Sequence, residues 1–267
     1  MNLRVIGRRD DGMHLIESEM VSISLYDEIV VNTSNSSRTN ELMVKDVLEL
    51  VESGFVFDSI PLGQENLVFQ AMRLCDVNWS VVINKRIPPG AGLGGGSSDA
   101  AAILRFGANE VNTFDLASLG ADVPFCYQVT RAQVSGIGEH IEQLPPKTQN
   151  FVLFLIPLVI PTKAVYAAFD LLASKQTRNE SSQRNHLEEA ALMVCPELLD
   201  YRSLIAGKIN KLPNLAGSGS TYFSEGTLES LGLGSSESGI LKIEHESLRV
   251  FAIDVHEVSV TELTPRN

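Results

Sequence analysis

The chain has 267 residues, of which 44% are hydrophobic and 20% charged, with a formal net charge of −12. That supplies apolar material for a real core, in one large domain or two around a shared cleft. The acidic balance argues against a nucleic-acid partner, whose phosphates reward a basic face, yet leaves room for a small anion, because a nest of backbone N–H groups holds phosphate inside an acidic protein.

In chain order, Leu3–Ile6 reads as a strand and Arg9-Asp10-Asp11-Gly12 as a turn. The opening carries Arg4, Arg8 and Arg9 with no apolar stretch behind them, so no signal peptide is expected. Met20–Leu25 alternates apolar and polar, and Ile29-Val30-Val31 follows; both predict strands. Residues 32–40 read as a loop, and 42–57 are ambiguous. Asn66–Cys75 predicts a helix with Leu67, Ala71 and Leu74 on one face. Val81–Ile83 reads as a strand, Asp99–Phe106 as an alanine-rich helix and Asp115–Leu119 as a short helical stretch. Val123–Val134 and Phe151–Ile156 read as strands. The longest apolar run, Phe151–Ile160, is interrupted by Pro157 and falls far short of the roughly 20 residues that span a bilayer. A soluble, cytoplasmic protein without a membrane partner is therefore expected. Pro145-Pro146 and the polar residues around them mark a domain boundary, dividing the chain into 1–147 and 148–267. Beyond it, Lys163–Ser174 and His186–Val194 predict helices joined by a polar connection over 175–185. Asn214–Ser220 is a second glycine-bearing loop, and the tail after Val258 is polar. Cys75, Cys126 and Cys195 lack a CxxC pair and read as reduced thiols. The five histidines show no metal-ligand spacing, so no structural zinc is expected.

The most informative stretch is Pro88-Pro89-Gly90-Ala91-Gly92-Leu93-Gly94-Gly95-Gly96-Ser97-Ser98-Asp99, between a predicted strand and a predicted helix. Glycines let a backbone adopt positive φ and approach a ligand closely. The helix behind them aims free N–H groups and the positive end of its dipole at the loop, which favours phosphate. Ser97 and Ser98 can donate hydroxyls to phosphate oxygens or sit near an accompanying Mg2+. Gly90, Gly92 and Gly95 also satisfy GxGxxG, so a dinucleotide loop is an alternative, although it lies deep in the chain after two prolines rather than in a leading βαβ unit. No Gly-Lys-Ser/Thr follows, so the loop is not a Walker A loop.

The spelling Pro-x-Gly-x-Gly-Leu-Gly-Gly-Gly-Ser-Ser-Asp-Ala-Ala resembles the ATP loop of the GHMP kinases, and in particular that of the 4-diphosphocytidyl-2-C-methyl-D-erythritol kinases. Arg8–His14 resembles that family's Arg-x-Asp-Gly-Tyr-His turn, and Asn66-Leu67 its Asn-Leu segment. Gly120-Ala121-Asp122-Val123-Pro124-Phe125 is similar to its Gly-Ala-Asp-Val-Pro-Phe motif. Gly136–Glu139, Pro161-Thr162 with Tyr166, Asn185–Glu188 and Gly217–Ser220 resemble later motifs. The resemblance covers residues 3–223 and implies an α+β, two-domain GHMP kinase fold with the active site in the interdomain cleft.

It also implies transfer of the γ-phosphate of ATP to the 2-hydroxyl of 4-diphosphocytidyl-2-C-methyl-D-erythritol, a step of the non-mevalonate isoprenoid route, with Mg2+ carried by the nucleotide rather than by a protein metal site. Asp122 falls at the catalytic aspartate, where a carboxylate takes the proton of the attacking hydroxyl; read alone, it is equally a turn cap before Pro124. The loop from Pro88 through Ser98 falls where the triphosphate is held, and Asn66 and Lys85 where adenine is contacted. His14 and Met13 fall at the cytosine, Thr162 and Tyr166 at the cytidine end, and Gly217, Ser218 and Gly219 at the second loop near the phosphates. Other GHMP enzymes, such as homoserine or mevalonate-pathway kinases, are the alternatives, as is a relative that binds nucleotide without turnover.

Three departures from the family pattern stand out. The family begins with an Ala-Lys-Ile-Asn-Leu strand whose lysine works with the aspartate, whereas here no lysine precedes Lys45; the true start is expected upstream of Met1. Met13 stands where the family has tyrosine, and the span from Ser98 to Gly120 is several residues shorter than the family's.

Overall fold

In a computed structural model, which describes residues 2–34, 40–46, 60–107, 112–128, 131–174, 184–234, 239–244 and 250–260, the chain reverses at Asp10–Gly12. Gly12 takes φ +89°, and its N–H donates to the Arg9 carbonyl at 2.9 Å. A side chain there would be strained, so this glycine sets the hairpin between β1 (Leu3–Arg8) and β2 (His14–Val21). The free edge of β2 takes up β6 (Arg131–Gly136) and then β7 (His140–Gln143), all antiparallel, in the order β1-β2-β6-β7. The strand lies earlier than the alternation at Met20–Leu25 suggests: β2 ends at Val21, where its pairing with Arg131 ends.

A second sheet, of order β3-β5-β4, is built from β3 (Glu28–Asn32), β4 (Glu41–Asp46) and β5 (Ser80–Lys85), with β5 antiparallel to β3 and parallel to β4. The strand β4 resolves part of the ambiguous stretch; residues 47–57 lie outside the described residues, as do 35–39 of the expected loop. Val81 and Ile83 of β5 are buried against Val68 and Met72 of α1 (Leu67–Leu74) and Ile103 and Leu104 of α2 (Gly95–Gly107). Asn66 caps α1 by accepting from the Val68 N–H at 2.8 Å. The alanines of α2 bring these two helices close: Ala71, Ala100 and Ala101 are fully buried. Two short helices follow, α3 (Thr113–Leu119) and α4 (Val123–Gln128). The second corrects the first part of the strand expected over 123–134, whose last four residues do lie in β6. Pro124 lies in the first turn of α4, where a fixed φ fits a helix and its missing N–H leaves no acceptor wanting.

Beyond residue 147, β8 (Asn150–Leu155) is the centre of a five-stranded sheet, β11-β12-β8-β10-β9. It pairs with β10 (Tyr222–Glu225) and β12 (Val250–Ser259), and β9 (Asn214–Leu215) and β11 (Gly239–Glu244) form the edges. Both faces of β8 are covered, which explains its unbroken apolar spelling. Val152, Phe154 and Ile156 pack with α5 (Thr162–Ser174), α6 (Glu188–Val194) and α7 (Leu198–Ile209), while Phe151, Leu153 and Leu155 pack with Phe223, Val258 and Leu93. Val5 and Ile16 of the first hairpin belong to the former cluster, so the start of the chain is buried in the core of its second half. No helix among the described residues is long and apolar enough to cross a membrane.

Candidate functional site

The helix α2 begins at Gly95, four residues earlier than its alanine run suggests. The Ser98 N–H donates to the Gly94 carbonyl at 2.9 Å, an i to i−4 bond, so the N–H groups of Gly95, Gly96 and Ser97 precede the ladder and face the loop. Gly90, Gly92 and Gly94 take φ of +67°, +73° and +67°. The resulting backbone concavity, closed by a helix N-terminus and flanked by two serine hydroxyls, is what an anionic phosphate chain fits. Dinucleotide binding at a leading βαβ unit does not describe it, since β5 pairs antiparallel to β3 and leads into the loop through Pro88 and Pro89.

The second glycine loop lies directly on the first. A Cβ on Gly92 would come within 2.2 Å of the Ala216 carbonyl and 2.9 Å of the Gly219 carbonyl, so only glycine permits the approach. The Thr221 N–H donates to the Ala91 carbonyl at 3.2 Å. Buried Asn185 fixes the second loop: its amide donates to the Leu215 and Gly217 carbonyls at 2.9 and 2.7 Å, and its Oδ1 accepts from the Leu187 N–H. Thr162, opening α5, hydrogen-bonds Ser218 at 2.9 Å. Thr162, Gly217, Ser218 and Gly219 are thereby gathered beside Gly92.

Asp122 sits where the turn after α3 enters α4. A Cβ on Gly94 would lie 3.6 Å from its Oδ2, which puts the carboxylate against the glycine loop. Ser97 is also near that turn, since a Cβ on Gly120 would lie 3.7 Å from its hydroxyl. Gly138 supports the turn from behind; it has φ +121°, and a Cβ there would fall 2.1 Å from the Ala121 carbonyl. The Gly136–Glu139 turn thus bears on the segment that carries Asp122. Among the described residues the Asp122 carboxylate forms no hydrogen bond or ion pair, and loss of solvent pushes it above the ordinary aspartate range.

The base side of the expected site comes from both halves. The His14 Nε2–H donates to Asp170 Oδ1 at 2.7 Å, and Arg8 holds the other oxygen of Asp170 at 3.1 Å. The His14 ring packs on Tyr166 with centroids 4.7 Å apart, tilted by 32°, and meets Phe169 edge-on. Tyr166 is pushed up to about 12, chiefly by burial and then by the charge of Asp122, so this cluster and the aspartate share one electrostatic neighbourhood. Met13, one residue away, is 46% exposed.

Two residues expected at adenine carry structural bonds. The Asn66 amide donates to the Pro61 carbonyl at 2.7 Å while its oxygen caps α1. The Lys85 residue is only 4% exposed, and its ammonium lies between Asp27 at 2.5 Å and Asp99 at 3.0 Å. Burial, offset by Lys85 and reinforced by Asp27, raises Asp99 to about 7. Read as a lone strand-end charge, Lys85 gives no hint of this, because Asp27 is distant in sequence. Asp170 likewise escapes sequence reasoning, since a carboxylate one turn beyond Tyr166 shows its pairing with His14 only in three dimensions; Asn185 lies in a segment that the sequence singles out, but its grip on the second glycine loop is visible only in the fold. The described residues contain no group of three or more His, Cys, Asp or Glu side chains that could hold a metal ion. A concavity of about 400 Å3 bounded by Gln128, Gln133, Ser135, Glu139, His140 and Glu142 belongs to the β6–β7 hairpin and contains none of these site residues.

Comparison with known proteins agrees with this geometry. The profile of the GHMP kinases N terminal domain matches residues 66–137, from the cap of α1 to the Gly136–Glu139 turn. The 4-diphosphocytidyl-2-C-methyl-D-erythritol kinase of Thermus thermophilus is 33% identical over 246 residues, covering 84% of this chain and 83% of that protein. The enzyme of the same name from Carboxydothermus hydrogenoformans is 30% identical over 259 residues, covering 84% of each. A crystal structure of 4-(cytidine 5'-diphospho)-2C-methyl-D-erythritol kinase superposes with a TM-score of 0.61 at 29% identity, over 83% of this chain and 85% of that one. A putative homoserine kinase from Listeria monocytogenes shares the fold, with a TM-score of 0.53 at 15% identity, over 91% of this chain and 90% of that one. With its fold, its glycine loop and its aspartate in place, the chain belongs to the 4-diphosphocytidyl-2-C-methyl-D-erythritol kinase family of the GHMP kinases.

Proposed function

We propose that the chain transfers the γ-phosphate of ATP to the 2-hydroxyl of 4-diphosphocytidyl-2-C-methyl-D-erythritol. The observation that carries this reading is a carboxylate with no partner among the described residues, set against a phosphate-shaped glycine loop. ATP, when bound, supplies the phosphoryl group. The N–H groups at the start of α2 would hold its phosphates, and the Ser97 and Ser98 hydroxyls would be available to the Mg2+ it carries, which would offset phosphate charge. Asp122 accepts the proton of the attacking hydroxyl. Tyr166 offers an aromatic face to the cytosine, with His14 held beside it by Asp170, and Met13 supplies a thioether at the open side. Asn66 belongs to the adenine side through the start of α1, which it caps. The division at residues 147–148 places the loop and Asp122 in the first part and Thr162, Tyr166 and the second glycine loop in the other, with substrate between them. A soluble enzyme of the cytoplasm fits this chemistry.

A second reading, nucleotide binding without turnover, has one observation behind it: among the described residues no basic side chain pairs with Asp122. A cation there stabilises charge moving onto the phosphoryl oxygens. The test is ADP release from ATP and Mg2+, with and without 4-diphosphocytidyl-2-C-methyl-D-erythritol. The expected result is release that depends on this alcohol and is not supported by homoserine or mevalonate. ATP binding without ADP formation under any alcohol would favour the second reading.

A further inference from the structure

The loop that cradles phosphate leaves β5 at Lys85 and returns into α2 at Asp99, and these two residues are joined. The Lys85 ammonium reaches Asp99 Oδ2 at 3.0 Å, and its other contact, at 2.5 Å, is Asp27 Oδ2. Asp27 precedes β3, and its second oxygen accepts from the Arg86 and Ile87 N–H groups at 2.6 and 2.9 Å, the first two residues of the outgoing stem. All three side chains are about as buried as a core leucine, at 2–5% exposure. A Cβ on Gly95 would come within 2.9 Å of Ile87 and 3.3 Å of the Lys85 ammonium, so the first residue of α2 is fitted to this cluster.

Three buried charges are an expensive way to stabilise a fold; an apolar trio of similar volume does as well or better. What such a cluster provides is one fixed arrangement, since the one ammonium offsets both carboxyl groups only where it lies between them. We propose that Asp27, Lys85 and Asp99 form a clasp across the neck of the glycine loop, and that they are positioning residues for the nucleotide phosphates. Lys85 thus acts on the loop's shape rather than on the adenine ring. The inference rests on the phosphate-loop reading above and deepens it.

The two roles of Lys85 separate by ligand. An adenine contact cannot affect a ligand without a base, whereas a clasp governs any polyphosphate. The probes are ADP and inorganic tripolyphosphate, each titrated calorimetrically into the full chain, with thermal melting recorded for every variant. Lys85→Met leaves two carboxylates facing each other without a cation, and is expected to weaken both probes by a similar factor of at least about tenfold. Adding Asp99→Asn to that chain removes the repulsion, and is expected to return part of the lost affinity for both, a coupling between residues that share one network. Asp99→Asn alone keeps a neutral Lys85–Asp27 pair and serves as the folded reference. Loss of ADP binding with tripolyphosphate binding intact overturns the clasp in favour of a base contact. The same holds if Asp99→Asn fails to restore either ligand in a double variant that melts like the reference. If the wild type binds both probes but releases no ADP with any alcohol, the proposed reaction fails while the clasp is still decided by the variants.

Discussion

Asp122 carries opposing demands. Burial raises its carboxyl above the ordinary aspartate range, so in the folded chain the ionised form is penalised relative to the unfolded one. The stability associated with the protonated group is therefore fully present below the ordinary aspartate value and is lost as pH rises through the raised folded value. Proton acceptance needs the ionised form, so kcat is expected to climb over that same window. Asp122→Asn removes the charge at nearly constant shape. Its expected signature is double: substrate-dependent turnover falls by about 10²–10⁴-fold, while the melting temperature exceeds that of the wild type at neutral pH and the advantage vanishes near pH 4. Melting curves at the two pH values check the second half independently of any assay. An unchanged turnover in the asparagine variant would remove Asp122 from the chemistry.

Turns rather than strands set the geometry between the two glycine loops and the aspartate. Gly138 touches no proposed ligand position, yet its missing Cβ is what lets the β6–β7 turn close on the Ala121 carbonyl. Gly138→Ala forces a side chain into φ +121° and to within 2.1 Å of that oxygen, so the segment carrying Asp122 has to move. A misplacement of about 1 Å costs on the order of 10²-fold in rate; the expected outcome is a kcat lowered by that order with tripolyphosphate affinity unchanged. Gly207 in α7 is the control, because nothing lies within 4 Å of its Cβ position; alanine there is expected to stabilise the chain by about 0.5–1 kcal/mol without touching turnover. The glycine loop, the capped α1 and the doubly buried β8 are all legible in sequence, because each is spelled in consecutive residues. The helix α4 is not: Val-Pro-Phe-Cys-Tyr-Gln mimics a strand until its proline is placed in a first turn. Nor is α7 or the Asp27–Lys85–Asp99 cluster, the first for want of a marked apolar stripe and the second because its members are brought together only by the folded sheet.

Across the whole chain, the division expected near Pro145 and Pro146 is bridged in space. The hairpin β1–β2 lies in the first half, pairs there with β6, and yet buries Val5 and Ile16 among Phe154, Ile156 and the helices of the second. Composition along the chain carries no trace of this, since an isoleucine in a strand does not announce which sheet or helix will cover it. The consequence concerns cooperativity. Were the halves independent, removing core from one would leave the other's transition in place. Trp79, the single tryptophan, is buried in the first-half cluster with Val81 and Met72, far in contacts from Ile16, and reports on that half alone. Ile16→Ala leaves a cavity in the other cluster and is expected to cost about 2–5 kcal/mol. With the hairpin as the bridge, the denaturant midpoint read from Trp79 fluorescence shifts together with the far-ultraviolet circular dichroism, and both shift by the same amount. A fluorescence midpoint that stays at the wild-type value while the dichroism midpoint falls would mean that the halves unfold separately, and that the two glycine loops are held together by contacts weaker than the shared core implies.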